Sequence, residues 1–331
     1  MGIFNDMLGA GESLFKDPVA LDYDYMPKVI RGREEEQRKL AFCIKPLDQK
    51  RNGTNIILFG PSGIGKTVVC KHMLKLVEEE TDEIMPVYVN CWKKNTSYKV
   101  AIELCEQLGY RLTHNKKTDE LLDIAVKLLN KRSAVFVFDE IDKAEELDFL
   151  YSLLEGVYRK SMLIITNEVG WANNVDPRIK SRLMIEMMEF KSYGAKETED
   201  ILKYRGSYAF VDGVWDDNAF NVVVKKAVEL QDVRSGLYLM RESGNVAERR
   251  GGKKIEVEDV NNIIGKLDDF TIKSTSALDA GLQFVLSVVK ENPKMKIGEL
   301  YEKYKEKGGD KTYKTFQRSI KKLSDNKFIS T

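Results

Sequence analysis

The chain has 331 residues, of which 43% are hydrophobic and 32% are charged, and its formal net charge is +1. This length allows two or three domains with sizeable cores, and the near-zero total charge does not by itself define a partner. No apolar run approaches the ~20 residues of a membrane-spanning helix, the first residues lack the pattern of a secretory signal, and the four cysteines form no C-x-x-C pair, so we expect a cytoplasmic protein with buried, reduced thiols.

Apolar strands alternate with amphipathic helices from residue 35 to residue 190. The predicted strands cover residues 56–59, 85–90, 134–138, 163–166 and about 183–190. The predicted helices begin near residue 33, follow the first strand as far as residue 80, and cover residues 97–109 and 118–131. This alternation predicts an α/β fold in which helices cover both faces of a parallel sheet.

Only helices are predicted after residue 190. They cover residues 195–209, 217–229, 233–249 and 256–267, and three more lie at about 276–291, 296–307 and 312–326. Between the two groups we interpret the polar residues 271–276 as a hinge. The predicted domains are a lead-in of residues 1–34, an α/β core of residues 35–190, a helical domain of residues 191–268 and a C-terminal domain of residues 274–331.

The strongest signal is the segment that joins the first strand to the next helix. Residues 60–67, GPSGIGKT, match the phosphate-loop pattern G-x-x-x-x-G-K-[ST] at every required position. Glycines let backbone N–H groups approach phosphate oxygens, Lys66 can reach the β- and γ-phosphates, and the Thr67 hydroxyl can bind Mg²⁺. A simple glycine-rich turn would leave Lys66 and Thr67 unexplained. The residues expected to surround ATP or ADP here are Gly60, Pro61, Ser62, Gly63, Ile64, Gly65, Lys66, Thr67 and Val68.

Polar residues end two later strands. Asp139 and Glu140 follow an apolar run, so Asp139 can hold Mg²⁺ and Glu140 can polarise a water for attack on the γ-phosphate. Asn167 ends the next strand and can orient that water, although an Asx turn is the alternative. Because ligands of such sheets bind beyond the carboxyl ends of the strands, we expect all three residues to act with Lys66 in catalysis.

Three arginines lie where they can act on a nucleotide. In the segment 176–183, DPRIKSRL, Arg182 is our first candidate and Arg178 our second for an arginine finger that acts on a neighbouring copy's γ-phosphate. The alternative is a solvated basic helix end. Arg234 begins a later helix and can reach back to the nucleotide, but by itself it is one surface arginine among many.

The order of these motifs resembles that of an AAA+ ATPase, with its phosphate loop, Walker B motif, first sensor, arginine finger and second sensor. More narrowly, the chain resembles the archaeal replication initiators related to the origin recognition complex and the cell-division-control loader protein. The matching segments are SLFKDPVALDYDYMPKVIRGREEE (13–36), VYVNCWKKNTSYKVAIELCEQLG (87–109), VFVFDEIDKAEELDFLYSLL (135–154) and DPRIKSRL (176–183).

This resemblance implies an AAA+ core, a helical lid and a C-terminal winged helix. It also implies that Tyr193 and Arg205 flank the nucleotide, and that the protein binds origin DNA and helps to load the replicative helicase, with other initiator copies as further partners. The chain departs from the family's pattern at two points. The second sensor reads Gln-Asp-Val-Arg where Gly-Asp-x-Arg is common, and the chain ends just after the last predicted helix, so we expect a short or missing wing.

The C-terminal domain carries an excess of positive charge. Residues 274–331 hold 11 lysines and one arginine against seven acidic residues. The last predicted helix places Phe316, Ile320 and Leu323 on one face and leaves the other face to polar and basic side chains, as a recognition helix does. An ordinary solvated basic helix is the alternative. The candidate DNA-binding residues are Lys311, Lys314, Gln317, Arg318 and Lys321.

We therefore predict a DNA replication initiator in which ATP binding and slow hydrolysis act as a switch. One alternative is a STAND-like signalling ATPase whose C-terminal helices bind protein. Another is a mobile-element transposition helper ATPase, which binds DNA without preference for origin repeats. Salt-dependent duplex binding that is lost on charge reversal at Lys314, Arg318 and Lys321 distinguishes the initiator from the first alternative.

Overall fold

The computed structural model describes residues 13–276, 280–292 and 295–325. The chain divides into two compact units, Met1–Val260 and Asn261–Thr331. Within the described residues, no helix is both long and apolar enough to cross a lipid bilayer.

The first unit is built on a five-stranded parallel sheet with the order β2-β3-β4-β1-β5. The strands are β1 (Ile56–Phe59), β2 (Ile84–Asn90), β3 (Ser133–Asp139), β4 (Lys160–Thr166) and β5 (Glu186–Glu189). Every residue of the interior strand β3 is buried, as expected for a strand covered on both faces. Because β1 lies between β4 and β5, the loop that follows it opens at the sheet's carboxyl edge beside the end of β4.

Helices cover both faces of this sheet. They are α1 (Glu34–Ile44), α2 (Lys66–Glu80), α3 (Ser97–Gln107), α4 (Thr118–Leu129), α5 (Asp148–Gly156) and α6 (Pro177–Leu183). Phe136 and Phe138 of β3 pack on one face with residues of α3, α4 and α5. Val135 and Val137 of the same strand pack on the other face with residues of α1 and α2. The alternation of side chains along one buried strand therefore divides the core into two layers.

The start of the fifth strand differs from the prediction. The predicted strand begins at about Leu183, whereas in the structure Leu183 ends helix α6 and β5 begins at Glu186. The Asp176 carboxylate accepts a hydrogen bond from the backbone of Arg178, and Pro177 occupies the first turn, so both residues favour a helix start. Met184, in the left-handed region at φ 39°, then ends the helix. Helices α5 and α6 have no counterpart among the predicted elements.

The rest of the first unit is a helical layer whose elements lie close to their predicted positions. It contains α7 (Ala195–Ala209), α8 (Asp217–Leu230), α9 (Val233–Arg249) and the start of α10 (Val257–Ser276). The lead-in packs on this layer rather than on the sheet. The Lys16 N–H donates to the Ala209 carbonyl at 2.8 Å, and the rings of Phe15 and Phe210 lie 4.8 Å apart.

Two charged contacts continue this attachment. An oxygen of Glu248 on α9 accepts hydrogen bonds from the Ser13 hydroxyl at 2.7 Å and from the Leu14 N–H at 2.8 Å. Arg241 on the same helix pairs with Asp22 at 3.2 Å. The segment 13–22 is therefore bound along its length to the helical layer, and the chain crosses to the core only after Asp22.

The second unit contains the end of α10 and a three-helix cluster. The cluster consists of α11 (Ala280–Glu291), α12 (Ile297–Glu306) and α13 (Tyr313–Asp325). Leu286, Tyr304 and Phe316 are among the residues of its apolar core. Residues 326–331, where the wing is predicted to be short or missing, lie outside the described residues.

The predicted hinge at residues 271–276 is wrong, because α10 continues through it to Ser276. The segment TIKSTS contains neither glycine nor proline. Serine and threonine are only weakly unfavourable inside a helix, so a polar composition did not suffice to end it.

Candidate nucleotide site and C-terminal DNA-binding surface

The phosphate loop lies between β1 and α2 at the carboxyl edge of the sheet. Gly60 has φ +142°, and a Cβ there would lie 2.3 Å from the Phe190 carbonyl oxygen. Gly65 caps α2 at φ +93°, and a Cβ there would lie 2.5 Å from the Tyr193 hydroxyl. Both positions therefore require glycine, for backbone conformation and for space. The start of α2 directs its free N–H groups into this loop, which is the usual form of an anion site.

Lys66 is buried at the base of the loop. Its ammonium donates to the Gly60 and Pro61 carbonyls, each at 2.6 Å, and to the Asn167 side-chain oxygen at 2.9 Å. Burial lowers the pKa of the Lys66 ammonium to about 8, against the opposing charges of Asp139 and Asp142. The structure thus brings Lys66 and Asn167 together, as expected from two adjacent parallel strands.

Asp139 ends β3 beside Thr67. The Thr67 hydroxyl donates to Asp139 Oδ2 at 2.9 Å, and the Tyr88 hydroxyl donates to the same oxygen at 2.8 Å. Asp139 Oδ1 is buried and has no hydrogen-bond partner among the described residues. A buried carboxylate oxygen without a donor, next to a threonine hydroxyl, is a donor set that Mg²⁺ prefers, so Thr67 and Asp139 fit the predicted metal site.

Glu140 and Asn167 follow their strands on the same edge. Glu140 is half-buried in the left-handed region at φ 54°, an unusual conformation for glutamate that turns the chain directly after β3. The Asn167 N–H and the Thr166 hydroxyl donate to one oxygen of Asp142, at 3.3 and 3.0 Å. Asp142 therefore fixes the end of β4 while the Asn167 carboxamide contacts Lys66.

Arg234 lies at the start of α9 and contacts the phosphate loop. Its guanidinium donates to the Ser62 hydroxyl at 3.2 Å and to both oxygens of Asp232 at 3.1 and 3.0 Å. A Cβ on Gly63 would lie 2.3 Å from an Asp232 oxygen. The predicted second-sensor arginine is thus held at the loop by an acidic residue that the sequence did not single out.

Tyr193 and Arg205 occupy different positions around the site. Tyr193 stands over Gly65, and the Arg33 guanidinium lies 4.0 Å from the centre of its ring. Arg205 is buried and donates to the Asp22 carbonyl at 2.7 Å. Its guanidinium also lies 4.8 Å from the centre of the Tyr25 ring. Arg205 therefore anchors the lead-in at the edge of the site.

Arg33 was missed by sequence reasoning. It is buried and donates to the Ile64 carbonyl at 3.2 and 3.0 Å and to the Lys191 carbonyl at 2.6 Å. One side chain therefore joins the phosphate loop to the segment that leads into α7. The only signal was its place in the segment 13–36, which carries the family resemblance.

A cavity of about 290 Å³ extends from the phosphate loop to the lead-in. Its wall combines the predicted phosphate and metal residues with apolar residues that were not predicted. The unpredicted lining includes Tyr25, Met26, Pro27, Ile30, Ile201 and Leu237. The polar end thus suits the phosphates and the apolar end suits a base.

The two candidate finger arginines lie on α6 and are not among the residues that line this cavity. Arg182 lies 4.7 Å from the centre of the Tyr151 ring and pairs with Glu155 at 3.3 Å. Arg178 pairs with Asp176 at 3.0 Å and is 75% exposed, against 38% for Arg182. Both therefore lie outside the lining of their own chain's cavity and are partly exposed.

The last helix, α13, presents its predicted face to solvent. Lys314, Gln317, Arg318 and Lys321 are exposed, while Phe316, Ile320 and Leu323 are buried. Lys311 is different, because it precedes the helix, is half-buried, and its ammonium donates to the Ser319 hydroxyl at 3.3 Å. Four of the five candidate DNA-binding residues thus share one exposed face.

Comparisons with known proteins agree with this architecture. Residues 49–168 match the AAA domain family, and residues 199–263 match the Cdc6 AAA+ ATPase-type lid domain. Fold and site together define an AAA+ ATPase with a Cdc6-type lid. The chain is 33% identical over 310 residues to the ORC1-type DNA replication protein 1 of Sulfurisphaera tokodaii, covering 88% of this chain and 78% of that one. It is 30% identical over 356 residues to the protein of that name from Methanothermobacter thermautotrophicus, covering 100% and 92%. The chain belongs to the ORC1-type DNA replication protein family.

Solved structures give the same result. The Aeropyrum pernix ORC1 protein in complex with DNA superposes with a TM-score of 0.71 at 28% identity, covering 95% of this chain and 88% of that one. The Aeropyrum pernix ORC2 protein in its ADPNP–ADP complexes has a TM-score of 0.75 at 19% identity, covering 94% and 90%, and shows the fold. The predicted family, the AAA+ fold with its lid and the ATPase activity are confirmed.

Proposed function

We propose that this ATPase is a replication initiator that binds origin DNA through its C-terminal domain, with ATP and Mg²⁺ as the ligands that switch it. The observation that carries the ATP-dependent part is the convergence of Lys66, Thr67, Asp139 and Asn167 within hydrogen-bond distance at one edge of the sheet. Residues from the ends of two strands and from the loop after a third meet there, which a structural turn does not require.

In the proposed mechanism, each residue has one task. Lys66 exchanges its carbonyl partners for the β- and γ-phosphates. Thr67 and Asp139 would hold Mg²⁺, which would supply charge neutralisation on the phosphates. Glu140 accepts a proton from the attacking water, and Asn167 orients that water. Arg234 senses the γ-phosphate from α9. Since Arg234 on α9 contacts the phosphate loop at Ser62, hydrolysis changes the contact between lid and core.

The proposed DNA surface is the exposed face of α13. Lysines on such a face supply salt-dependent affinity for phosphates, and Arg318 and Gln317 are residue types that read guanine and adenine edges. The Aeropyrum pernix ORC1 protein forms a complex with DNA, and its structure matches 95% of this chain. We further propose a winged-helix class for this domain, and the replicative helicase and other initiator copies as partners.

The test is fluorescence-anisotropy binding of duplexes from the organism's own replication-origin region and of scrambled duplexes, across a salt series, with ATP and with ADP. We expect tighter binding to the origin duplex and a steep loss of affinity with salt. The triple variant Lys314→Glu, Arg318→Glu and Lys321→Glu is expected to lose at least tenfold in affinity, roughly the effect of removing three phosphate contacts.

The matched control is Lys75→Glu, Lys196→Glu and Lys225→Glu, which makes the same charge change at exposed positions of the first unit. Equal loss in both variants would show that only total charge matters. Equal binding of every duplex would favour the transposition-helper alternative. No duplex binding in either nucleotide state would exclude an initiator and favour a protein-binding ATPase.

A further inference from the structure

The Walker B carboxylate has a second hydroxyl donor that the proposed mechanism does not use. Tyr88 lies on β2, next to β3, and its hydroxyl is 2.8 Å from Asp139 Oδ2, the oxygen that also accepts from Thr67. Two donors on one oxygen restrict the rotation of the carboxylate about its bond to the rest of the side chain. The other oxygen, Oδ1, stays buried without a hydrogen-bond partner among the described residues. The carboxylate is thus presented with one oxygen occupied and one available.

Tyr88 is itself held by a helix on the outer side of β2. The Gln107 carboxamide of α3 donates to the Tyr88 carbonyl at 2.7 Å and accepts from the Tyr88 N–H at 3.2 Å. Gln107 also donates to Glu103 at 2.7 Å, and Glu103 pairs with Lys94 at 2.8 Å. β2 is an edge strand, so its outward backbone groups lack a strand partner. Gln107 fills that role at Tyr88, the β2 residue whose hydroxyl donates to Asp139.

The ring and the hydroxyl of Tyr88 are also fixed. The Lys71 ammonium lies 4.7 Å from the centre of the ring. Burial, followed by the neighbouring Asp139 charge, raises the pKa of the Tyr88 hydroxyl well above its usual range. The hydroxyl is therefore a donor to Asp139 in this geometry.

We propose that Tyr88 is a positioning residue that orients Asp139 toward the magnesium ion of the bound nucleotide. This inference rests on the proposed metal role of Thr67 and Asp139. Thr67 alone cannot fix the orientation of the Asp139 carboxylate, because in the proposed metal site the Thr67 oxygen is itself a ligand of Mg²⁺. Tyr88 is the donor that leaves the metal shell free, and it limits Asp139 to the orientation in which Oδ1 faces the ion.

The test is the Mg²⁺ dependence of nucleotide binding in the Tyr88→Phe variant of the whole chain. Affinity for a fluorescent ATP analogue is measured with EDTA and across a Mg²⁺ titration. We expect unchanged affinity in EDTA. We also expect the Mg²⁺ concentration that gives half of the Mg²⁺-induced tightening to rise by roughly tenfold or more, the lower end of the effect of removing one hydrogen bond to a charged group. Phenylalanine keeps the ring and its contact with Lys71.

The matched control is Tyr158→Phe, which removes a hydroxyl from a side chain that is 73% exposed on the same unit. A Tyr88→Phe variant that loses affinity equally in EDTA and in Mg²⁺ would show a merely structural role and overturn the inference. The inference would also be overturned if the wild type binds Mg²⁺–ATP more tightly than ATP alone and the variant needs the same Mg²⁺ concentration as the wild type. If the wild type shows no Mg²⁺-induced tightening, both the proposed metal site and this inference are wrong.

Discussion

At the residue scale, Lys66 carries the clearest conflict between burial and charge. Its ammonium is satisfied by two carbonyls and by Asn167, yet burial still lowers its pKa to about 8. An amine with a lowered pKa in the folded state makes the unfolded state bind more protons between the two pKa values. Stability therefore rises with pH through that range.

This predicts a specific pH trend for Lys66→Met. From pH 7 to pH 9.5, the unfolding free energy of the wild type should rise by about 2 kcal/mol relative to the variant, at ~1.4 kcal/mol per pKa unit. Urea unfolding without nucleotide at both pH values measures it. Lys75→Met, at an exposed position of the same helix, corrects for other groups that titrate in this range. A difference that stays constant would contradict the lowered pKa.

Sequence reasoning found the site residues that short segments or strand ends define. Lys66 and Thr67 belong to one continuous motif, and Asp139 and Asn167 meet them because parallel strands end at the same edge. Arg33, Tyr88 and Asp232 were not found. Their contacts join residues 31 to 169 positions apart, as in the bond from Arg33 to Lys191, which spans 158. Only the tertiary packing of α1, β2 and α9 brings these three residues to the nucleotide site.

At the element scale, the junction between α9 and α10 contains an ion pair with a buried partner. Arg250 donates to both oxygens of Asp259, each at 2.8 Å, and the Asp259 side chain is only 3% exposed. The Glu256 N–H donates to the same carboxylate at 2.9 Å. A buried carboxylate that loses its cation is costly, whereas an exposed arginine that loses its partner is not.

We therefore expect Arg250→Met to lower the melting temperature by several degrees relative to Arg249→Met, its exposed neighbour. Asp259→Asn is expected to fall between them, since the amide removes the buried charge but keeps the shape. Thermal unfolding followed by circular dichroism measures all three. Equal melting temperatures for the two arginine variants would mean that the pair contributes no net stability.

Elements were predicted best where hydrophobic periodicity is long. α7 and α9 lie within the predicted bounds, because their apolar positions repeat over several turns. The predicted start of the fifth strand failed at Leu183, because one apolar residue belongs equally to the end of a short helix and to the start of a strand. The Asp176–Pro177 start signal was present in the sequence, and it is what indicates α6.

At the scale of the whole molecule, the two candidate finger arginines lead to a prediction about activity between copies. Arg178 and Arg182 lie outside the cavity of their own chain. Suppose that Arg182 acts on the γ-phosphate of a neighbouring copy. The Lys66→Ala protein then still supplies a finger but does not bind ATP, and the Arg182→Ala protein binds ATP but supplies no finger. We expect each variant to be inactive alone and their mixture to regain part of the ATPase activity.

The same mixture with Arg178→Ala in place of Arg182→Ala shows which arginine acts. The finger is the arginine whose alanine variant is inactive alone and regains activity when mixed with Lys66→Ala. The alanine variant of the other arginine is then expected to be fully active alone. No recovery in either mixture, at a concentration where the wild type is active, would contradict action between copies.

The attachment of residues 13–22 to the helical layer has a mechanical consequence. The chain passes between lid and core twice at the cavity, once after Asp22 on its way to α1 and once at Lys191 on its way to α7. A domain that is linked to another by one chain segment can rotate in any direction. A domain that is linked by two separate segments rotates mainly about the line between them. We therefore expect the lid to rotate about the line between these two crossings, and Arg33, which donates to the Lys191 carbonyl and to the phosphate loop, lies beside the second of them.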